Sequence, residues 1–302
     1  MPLTTKLNAY YKYLPVSDED EEWGLQLLNA GHTEHPAGVE YPDRKHPGHH
    51  YFNWETGRIL QEYSLIYITE GRGIFHSSKS GNVKIESGSV LVVFPNERHR
   101  YKPDPETGWT EYWIGFNGPI MANLVQKNFF TPQQPVFKVG YNETVLSLFR
   151  QIIEAIKTEK AGYQALIGGA AMYIMGLMHT TAKQQLFTMG DEERIVDHAR
   201  MIIRESFEES ISPQEIASQL QIGYSRFRKL FKEYTGLAPV QYIIQLKLER
   251  AKENLINTSK TIKEISNELN FESPHYFSRL FKEKTGCTPH EFREKYNVGV
   301  GT

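Results

Sequence analysis

Residues 216–236 read "IASQLQIGYSRFRKLFKEYTG" and residues 265–286 read "ISNELNFESPHYFSRLFKEKTG". The same short helix end, Leu-Phe-Lys-Glu-x-Thr-Gly, closes both, and the second copy has one more residue in its turn. Each copy predicts a short helix, a turn and a longer helix, the helix-turn-helix plan. At about 100° per residue, Phe227, Leu230, Phe231 and Tyr234 fall on one side of the first longer helix, and Phe277, Leu280 and Phe281 on one side of the second. These are core positions. Opposite them lie Ser225, Lys229 and Lys232, flanked by Arg226 and Arg228; in the second copy, His275, Arg279 and Lys282, flanked by Tyr276 and Ser278. A face of cations and hydrogen-bonding groups can enter a major groove and read base edges.

Between the copies, "PVQYIIQLKLERAKENLIN" predicts one helix of about 18 residues, roughly 27 Å long. A DNA turn is about 34 Å. Two longer helices joined by such a rod can enter successive grooves on one duplex face. Ser212-Pro213-Gln214-Glu215, Thr261-Ile262-Lys263-Glu264 and Thr288-Pro289-His290-Glu291 each fit a capping box. Ser273-Pro274 predicts another helix start.

Charge agrees only in its distribution. The net charge is −2, and residues 191–302 hold 17 basic and 17 acidic side chains. Between Tyr224 and Lys263 there are 9 basic against 3 acidic residues, an excess of +6. Such an excess faces a polyanion or is a solvated helical surface.

The earlier part of the chain has a different period. Up to about residue 118, "SLIYITEGRGIFH", "GNVKIESGSVLVVFP" and "WTEYWIGF" are rich in β-branched and aromatic residues, punctuated by glycines. They predict an antiparallel barrel or jelly roll. From Asn142, "NETVLSLFRQIIEAIKTE" takes up the helical period. "YQALIGGAAMYIMGLMHTTAKQ" continues as a second helix, apolar over most of its surface, that completes the core, joins two subunits, or both. "QQLFTMGDEE" reads as a linker. The expected fold is therefore α+β, with a sheet domain over residues 1–185 that includes helices at about 142–184. A linker follows at 186–190, and then an all-α domain at 191–302.

His99 and Tyr101 share one strand face, as do Trp109, Glu111 and Trp113. With Arg58 they form a candidate pocket: flat rings for the C–H face of a sugar and polar groups for its hydroxyls. The alternative is that these rings simply fill the barrel. Cys287, the single cysteine, cannot form an internal disulfide, which fits a reducing compartment. No apolar run approaches the roughly 20 residues needed to span a membrane. "MPLTTKLNAYYKYLP" has no signal-peptide apolar region. The expectation is a cytoplasmic protein with no membrane contact.

The repeats, together with "FKEKTGCTPHEFR", resemble the AraC/XylS family of bacterial transcription regulators over residues 191–297. The resemblance implies two helix-turn-helix units on promoter DNA, usually as an activator, with RNA polymerase as a further partner. It places base reading at Ser225, Arg226, Arg228 and Lys229, and at His275, Tyr276, Ser278 and Arg279. Gly223 stands where the family usually has a capping serine. The first half, through "YITEGRGIF", "GSVLVVFPNERHRYKPDPETGW" and "EYWIGFNG", is similar to the family's sugar-sensing branch, a cupin-like barrel holding a small effector in a homodimer. The arm "LNAYYKYLPVSDEDEEW" then either covers bound ligand or is a disordered tail. The histidines at 32, 35, 46, 49 and 50 raise the question of metal, and with it a cupin enzyme. Enzymatic cupins need His-x-His, an acid and a later His; His99 matches only the last, and His76 stands alone. Neither a metal nor another cofactor is expected, and no enzyme. A helical protein-binding adaptor is the other rival.

Overall fold

The computed structural model describes residues 9–39, 41, 54–186 and 191–296. The chain forms two compact units, Met1–Leu186 and Phe187–Thr302. Residues 187–190 of the expected linker, and His46, His49 and His50, lie outside the described residues.

The first unit is built around one long strand. β4 (Tyr63–Ser77) follows β1 (Ala9–Tyr13), β2 (Gln26–His35) and β3 (Arg58–Ile59), and precedes β5 (Gly81–Glu86), β6 (Ser89–Val93), β7 (Arg98–Pro103), β8 (Trp109–Asn117) and β9 (Val136–Lys138). Its first half pairs antiparallel with β8 and β6 in a layer ordered β1-β2-β8-β4-β6-β9. Its second half pairs with β5 and β7, and β7 also carries β3. The pairing with β8 shifts register between Ile68 and Glu70, just before Gly71 at φ 83°. A Cβ at Gly71 would lie 2.1 Å from the Gly108 carbonyl oxygen. Only glycine accepts both that backbone angle and that approach.

Strand alternation then sorts side chains into two cores. Leu65, Tyr67, Val90, Val92, Ile114 and Phe116 face a layer of helices. Ile66, Ile68, Leu91, Val93, Tyr101 and Trp109 face the interior between the two halves of the sheet. The helical layer contains α3 (Glu143–Thr158) and α4 (Tyr163–Leu186). Asn142 caps α3, its side chain accepting from the Val145 amide at 3.1 Å. α4 is long and apolar enough by composition to cross a membrane, but Ile167, Ala171, Ile174, Met175 and Met178 are buried against the sheet and α3. Its opposite side leaves Leu166 69% and Tyr173 55% exposed.

Two short helices escape the sequence reading. α1 (Asp18–Glu22) is the acidic run, closed by a Ser17–Asp20 capping box; α2 (Pro119–Gln126) follows β8. The segment read as an arm or tail is, from Ala9 to Tyr13, the edge strand β1, paired with β2 over Asn29–Thr33. Lys12 anchors it, reaching the Ile156 carbonyl at 2.8 Å and Glu159 at 2.8 Å.

The second unit is all helix: α5 (Asp191–Ser206), α6 (Pro213–Gln219), α7 (Tyr224–Thr235), α8 (Pro239–Asn257), α9 (Ile262–Glu268), α10 (Pro274–Thr285) and α11 (Pro289–Tyr296). Ser212–Glu215, Thr261–Glu264 and Thr288–Glu291 make both bonds of a capping box. α7 and α10 end on Gly236 and Gly286 in the left-handed conformation, which is why both repeats close on glycine. Phe227 and Phe231 anchor one core, Phe277 and Phe281 another. Each of the four is fully buried, and burying one phenylalanine contributes about 1.5–3 kcal/mol.

Candidate ligand pocket and nucleic-acid interface

The interior of the first unit is lined by a polar cluster set among rings. β8 carries Trp109, Glu111 and Trp113 on its inner face; β7 carries His99 and Tyr101; β3, paired Arg58 to His99, brings in the guanidinium. The six residues converge. Trp113 is half-buried and packs on the same cluster, while the other five are at least nine-tenths buried. Arg58 Nη2 donates to Tyr101 Oη at 2.6 Å, and Nε donates to His99 Nε2 at 3.3 Å. Burial, then the Arg58 charge, pulls the His99 imidazole down to about 4. It is therefore neutral near pH 7, with Nδ1–H donating to the Glu97 carbonyl at 3.0 Å and Nε2 accepting from Arg58.

Burial pushes the Glu111 carboxyl up to about 8, against the opposing pull of Arg58. Near neutrality Glu111 is mostly the protonated acid, able to donate as well as accept. Burial likewise lifts Tyr101 to about 12, so its hydroxyl stays protonated. Glu111 Oε2 and Trp109 Nε1 are buried with no hydrogen-bond partner among the described residues. An unmet buried polar atom costs about 1–3 kcal/mol, which a ligand hydroxyl can relieve.

Two members of this cluster were missed from sequence. His35, weighed only as a metal ligand, pairs opposite Trp109 and brings Nε2 to 3.9 Å from Glu111 Oε1. Tyr41, from no strand, sets its ring edge-on to His35 at 4.9 Å and to Trp109 at 5.9 Å. Neither had a signal in the sequence: His35 reaches the cluster through the register of β2 against β8, and Tyr41 from outside any strand. No group of three or more metal-ligating side chains occurs among the described residues.

In the second unit the two helical wheels hold as drawn. Ser225, Arg226, Arg228, Lys229 and Lys232 on α7, and His275, Arg279 and Lys282 on α10, are exposed; Tyr276 and Ser278 are half-buried. Arg279 stacks over the Tyr276 ring at 5.8 Å, and the Ser278 hydroxyl donates back to the Pro274 carbonyl at 2.8 Å. Ser273 caps α10 by accepting from the Tyr276 amide at 3.1 Å, whereas Gly223 gives α7 no side-chain cap.

The basic excess needs correction. Arg226 pairs with Glu192 at 3.4 Å, Arg250 with Glu208 at 2.6 Å, Lys252 with Glu249 at 2.7 Å, and Lys260 with Glu268 at 2.6 Å. Lys247 is buried, and burial lowers its pKa. Several partners lie outside the counted window, so the excess is largely neutralised within the fold. What favours a duplex is placement: Arg228, Lys232, Arg279 and Lys282 stand exposed on the two wheels, with no ion pair among the described residues. Exposed pairs such as Arg226–Glu192 are worth about 0–1 kcal/mol and exchange readily for phosphate.

Two family models match the chain: an AraC-like ligand binding domain over residues 36–175 and a helix-turn-helix domain over residues 216–295. The lactose operon transcription activator of Staphylococcus xylosus is 22% identical over 248 residues, covering 80% of this chain and 86% of its own. The raffinose operon transcriptional regulatory protein of Pediococcus pentosaceus is 18% identical over 250 residues, covering 82% and 90%. Among solved structures, the C-terminal domain of AraT, a response regulator from Geobacillus stearothermophilus, is 26% identical at a TM-score of 0.35, covering 36% of this chain and 90% of that one. These are transcription regulators, not enzymes. With a ligand-binding sheet domain followed by paired helix-turn-helix motifs, this chain belongs to the AraC family of DNA-binding transcription regulators.

Proposed function

We propose that the chain activates transcription under the control of a neutral, polyhydroxylated effector, a sugar or sugar derivative, held by Arg58, His99, Tyr101, Trp109, Glu111 and Trp113. The observation that carries this is the pair of unsatisfied polar atoms, Glu111 Oε2 and Trp109 Nε1, buried beside aromatic rings. The rings take the C–H face of a pyranose, and the protonated Glu111 and neutral His99 suit hydroxyls better than charged groups. The lactose and raffinose operon relatives support the same class.

Ser225, Arg226, Arg228 and Lys229, and their counterparts His275, Tyr276, Ser278 and Arg279, read base edges; Lys232 and Lys282 hold phosphates. Residues 1–185 sense, 186–190 link and 191–302 bind DNA. A homodimer forms through the helices at 142–184, where exposed Leu166 and Tyr173 flank Gly169 and Gly176, whose open surfaces allow close approach. The protein works in the cytoplasm on promoter DNA with RNA polymerase. Control requires an effector that prefers one DNA-binding state over another, since equal affinity shifts nothing.

The test is a titration of lactose, raffinose and their component sugars followed by tryptophan emission, with gel-shift on promoter fragments at each end point. A sugar that changes emission and shifts DNA affinity by about tenfold, a coupling of about 1.4 kcal/mol, is the expected result. Emission and DNA affinity both indifferent to every sugar would overturn the effector class.

A further inference from the structure

The DNA-binding unit has two cores on one rod. Phe227, Phe231 and Ile243 belong to the first, and Phe277, Phe281 and Leu248 to the second; Ile243 and Leu248 are both on α8. α7 packs on α8, and α10 packs on α9 and α11, which in turn pack on α8. With α8 alone between them, the angle between the two motifs would depend on how far that one helix bends and twists.

A second joint links the two halves directly. Asn270, in the turn between α9 and α10, donates from Nδ2 to the Glu208 carbonyl at 2.7 Å. Glu208 sits between α5 and α6, in the first half. Both ends of this bridge are braced by α8. Lys247 Nζ donates to the Asn270 carbonyl at 3.1 Å, and Arg250 Nε donates to the Glu208 carboxylate at 2.6 Å. Lys247 is only 8% exposed, and its ammonium lies 5.7 Å from the Phe271 ring centre.

Asn270 has φ 48°, and Gln221, its counterpart in the first motif, has φ 56°. Asparagine tolerates the left-handed region, so the turn alone would account for the residue. It would not account for an amide that reaches across to the other half.

We infer that Asn270 is a positioning residue: its amide, bound to the Glu208 carbonyl, holds the second motif at one angle to the first and so sets which spacing between half-sites the protein accepts. The inference rests on the proposal that both recognition helices read one duplex. Two motifs seated on one helix shift relative to each other as that helix flexes, and a direct bond between the halves resists the shift. Recognition helices locked at one separation fit one half-site spacing, as spacing is a geometric consequence of how motifs are held.

The test uses the full-length protein and a duplex library with randomised half-sites separated by gaps of varied length. Asn270→Gly keeps the left-handed turn, which glycine adopts freely, and removes only the amide. Asn270→Asp keeps the turn and sets an acceptor against the Glu208 carbonyl. The wild type is expected to select one gap and to disfavour gaps one base pair longer or shorter by about tenfold. Both variants should select the same half-site sequences with that preference reduced to about threefold or less. Unchanged gap preference in a folded Asn270→Gly or Asn270→Asp protein overturns the inference and leaves paired reading intact. Selection of a single half-site by the wild type overturns paired reading itself.

Discussion

Glu111→Gln separates the cost of burying a carboxyl from the use made of it. Burial lifts this group from 4.5 to about 8. Below pH 4.5 the folded and unfolded chains both carry the proton, and no linked cost arises. Between pH 4.5 and about 8 the unfolded chain releases a proton that the folded chain keeps. Stability then falls with rising pH by up to about 1.4 kcal/mol per unit, reaching roughly 3 kcal/mol at pH 7. His99 works in the opposite sense. Its pKa is depressed from 6.5 to about 4, so its contribution is full above pH 6.5 and is lost as pH falls toward 4. The two slopes oppose each other between pH 4.5 and 6.5, and above 6.5 the Glu111 slope stands alone. Glutamine never ionises, so the variant should be nearly flat between pH 6.5 and 8 where the wild type declines, and more stable than the wild type at pH 8. Urea unfolding followed by tryptophan emission isolates the relevant unit, because Trp23, Trp54, Trp109 and Trp113 all lie in residues 1–186. Parallel decline of both proteins over that range would show that Glu111 is not held protonated by its surroundings. Sugar binding adds a second readout: Glu111→Gln resembles the protonated acid and should keep most of the affinity, while Glu111→Ala loses it.

Arg279→Ala should cost about 1–3 kcal/mol at one base pair and relax preference there, whereas Lys232→Ala weakens every duplex alike and lowers the salt slope by about 1. Binding measured over a set of single-base variants decides this, and an equal loss on all sequences for Arg279→Ala removes it from base reading. Gly223→Ser supplies α7 with the side-chain cap it lacks, and no atom lies within 4 Å of the added Cβ; melting should show a gain of a few tenths of a kcal/mol. Ser212→Ala removes a capping box and should cost about 1 kcal/mol in the same assay. Tyr173→Glu places a charge on the exposed side of α4, and sedimentation should show dimers giving way to monomers; an unchanged mass would move the interface elsewhere.

Much of the candidate pocket could be read without coordinates because strand period dictates side-chain direction. His99 with Tyr101, and Trp109 with Glu111 and Trp113, had to share faces, and they do. His35 and Tyr41 were not legible as partners. Their proximity to Glu111 and Trp109 comes from the pairing of β2 with β8 and from a segment outside any strand, which no local window contains. The edge strand β1 was hidden for the same reason: "AYYKY" is a strand only because β2 offers it a free edge. Charge was the most misleading signal. A count over residues 224–263 treats Lys247, Arg250 and Lys260 as available, yet one is buried and two are paired with Glu208 and Glu268.

Sequence alone determined the two helix-turn-helix motifs, their capping boxes, their buried phenylalanines and the exposed faces of α7 and α10. Each depends on residues within one or two turns, where backbone period and side-chain direction leave little freedom. Tertiary structure decided that β4 serves both halves of the sheet, that Glu111 is buried deeply enough to hold its proton, and that Asn270 reaches Glu208. These follow from contacts between segments far apart in the chain, whose burial and spacing exist only once the chain has closed on itself.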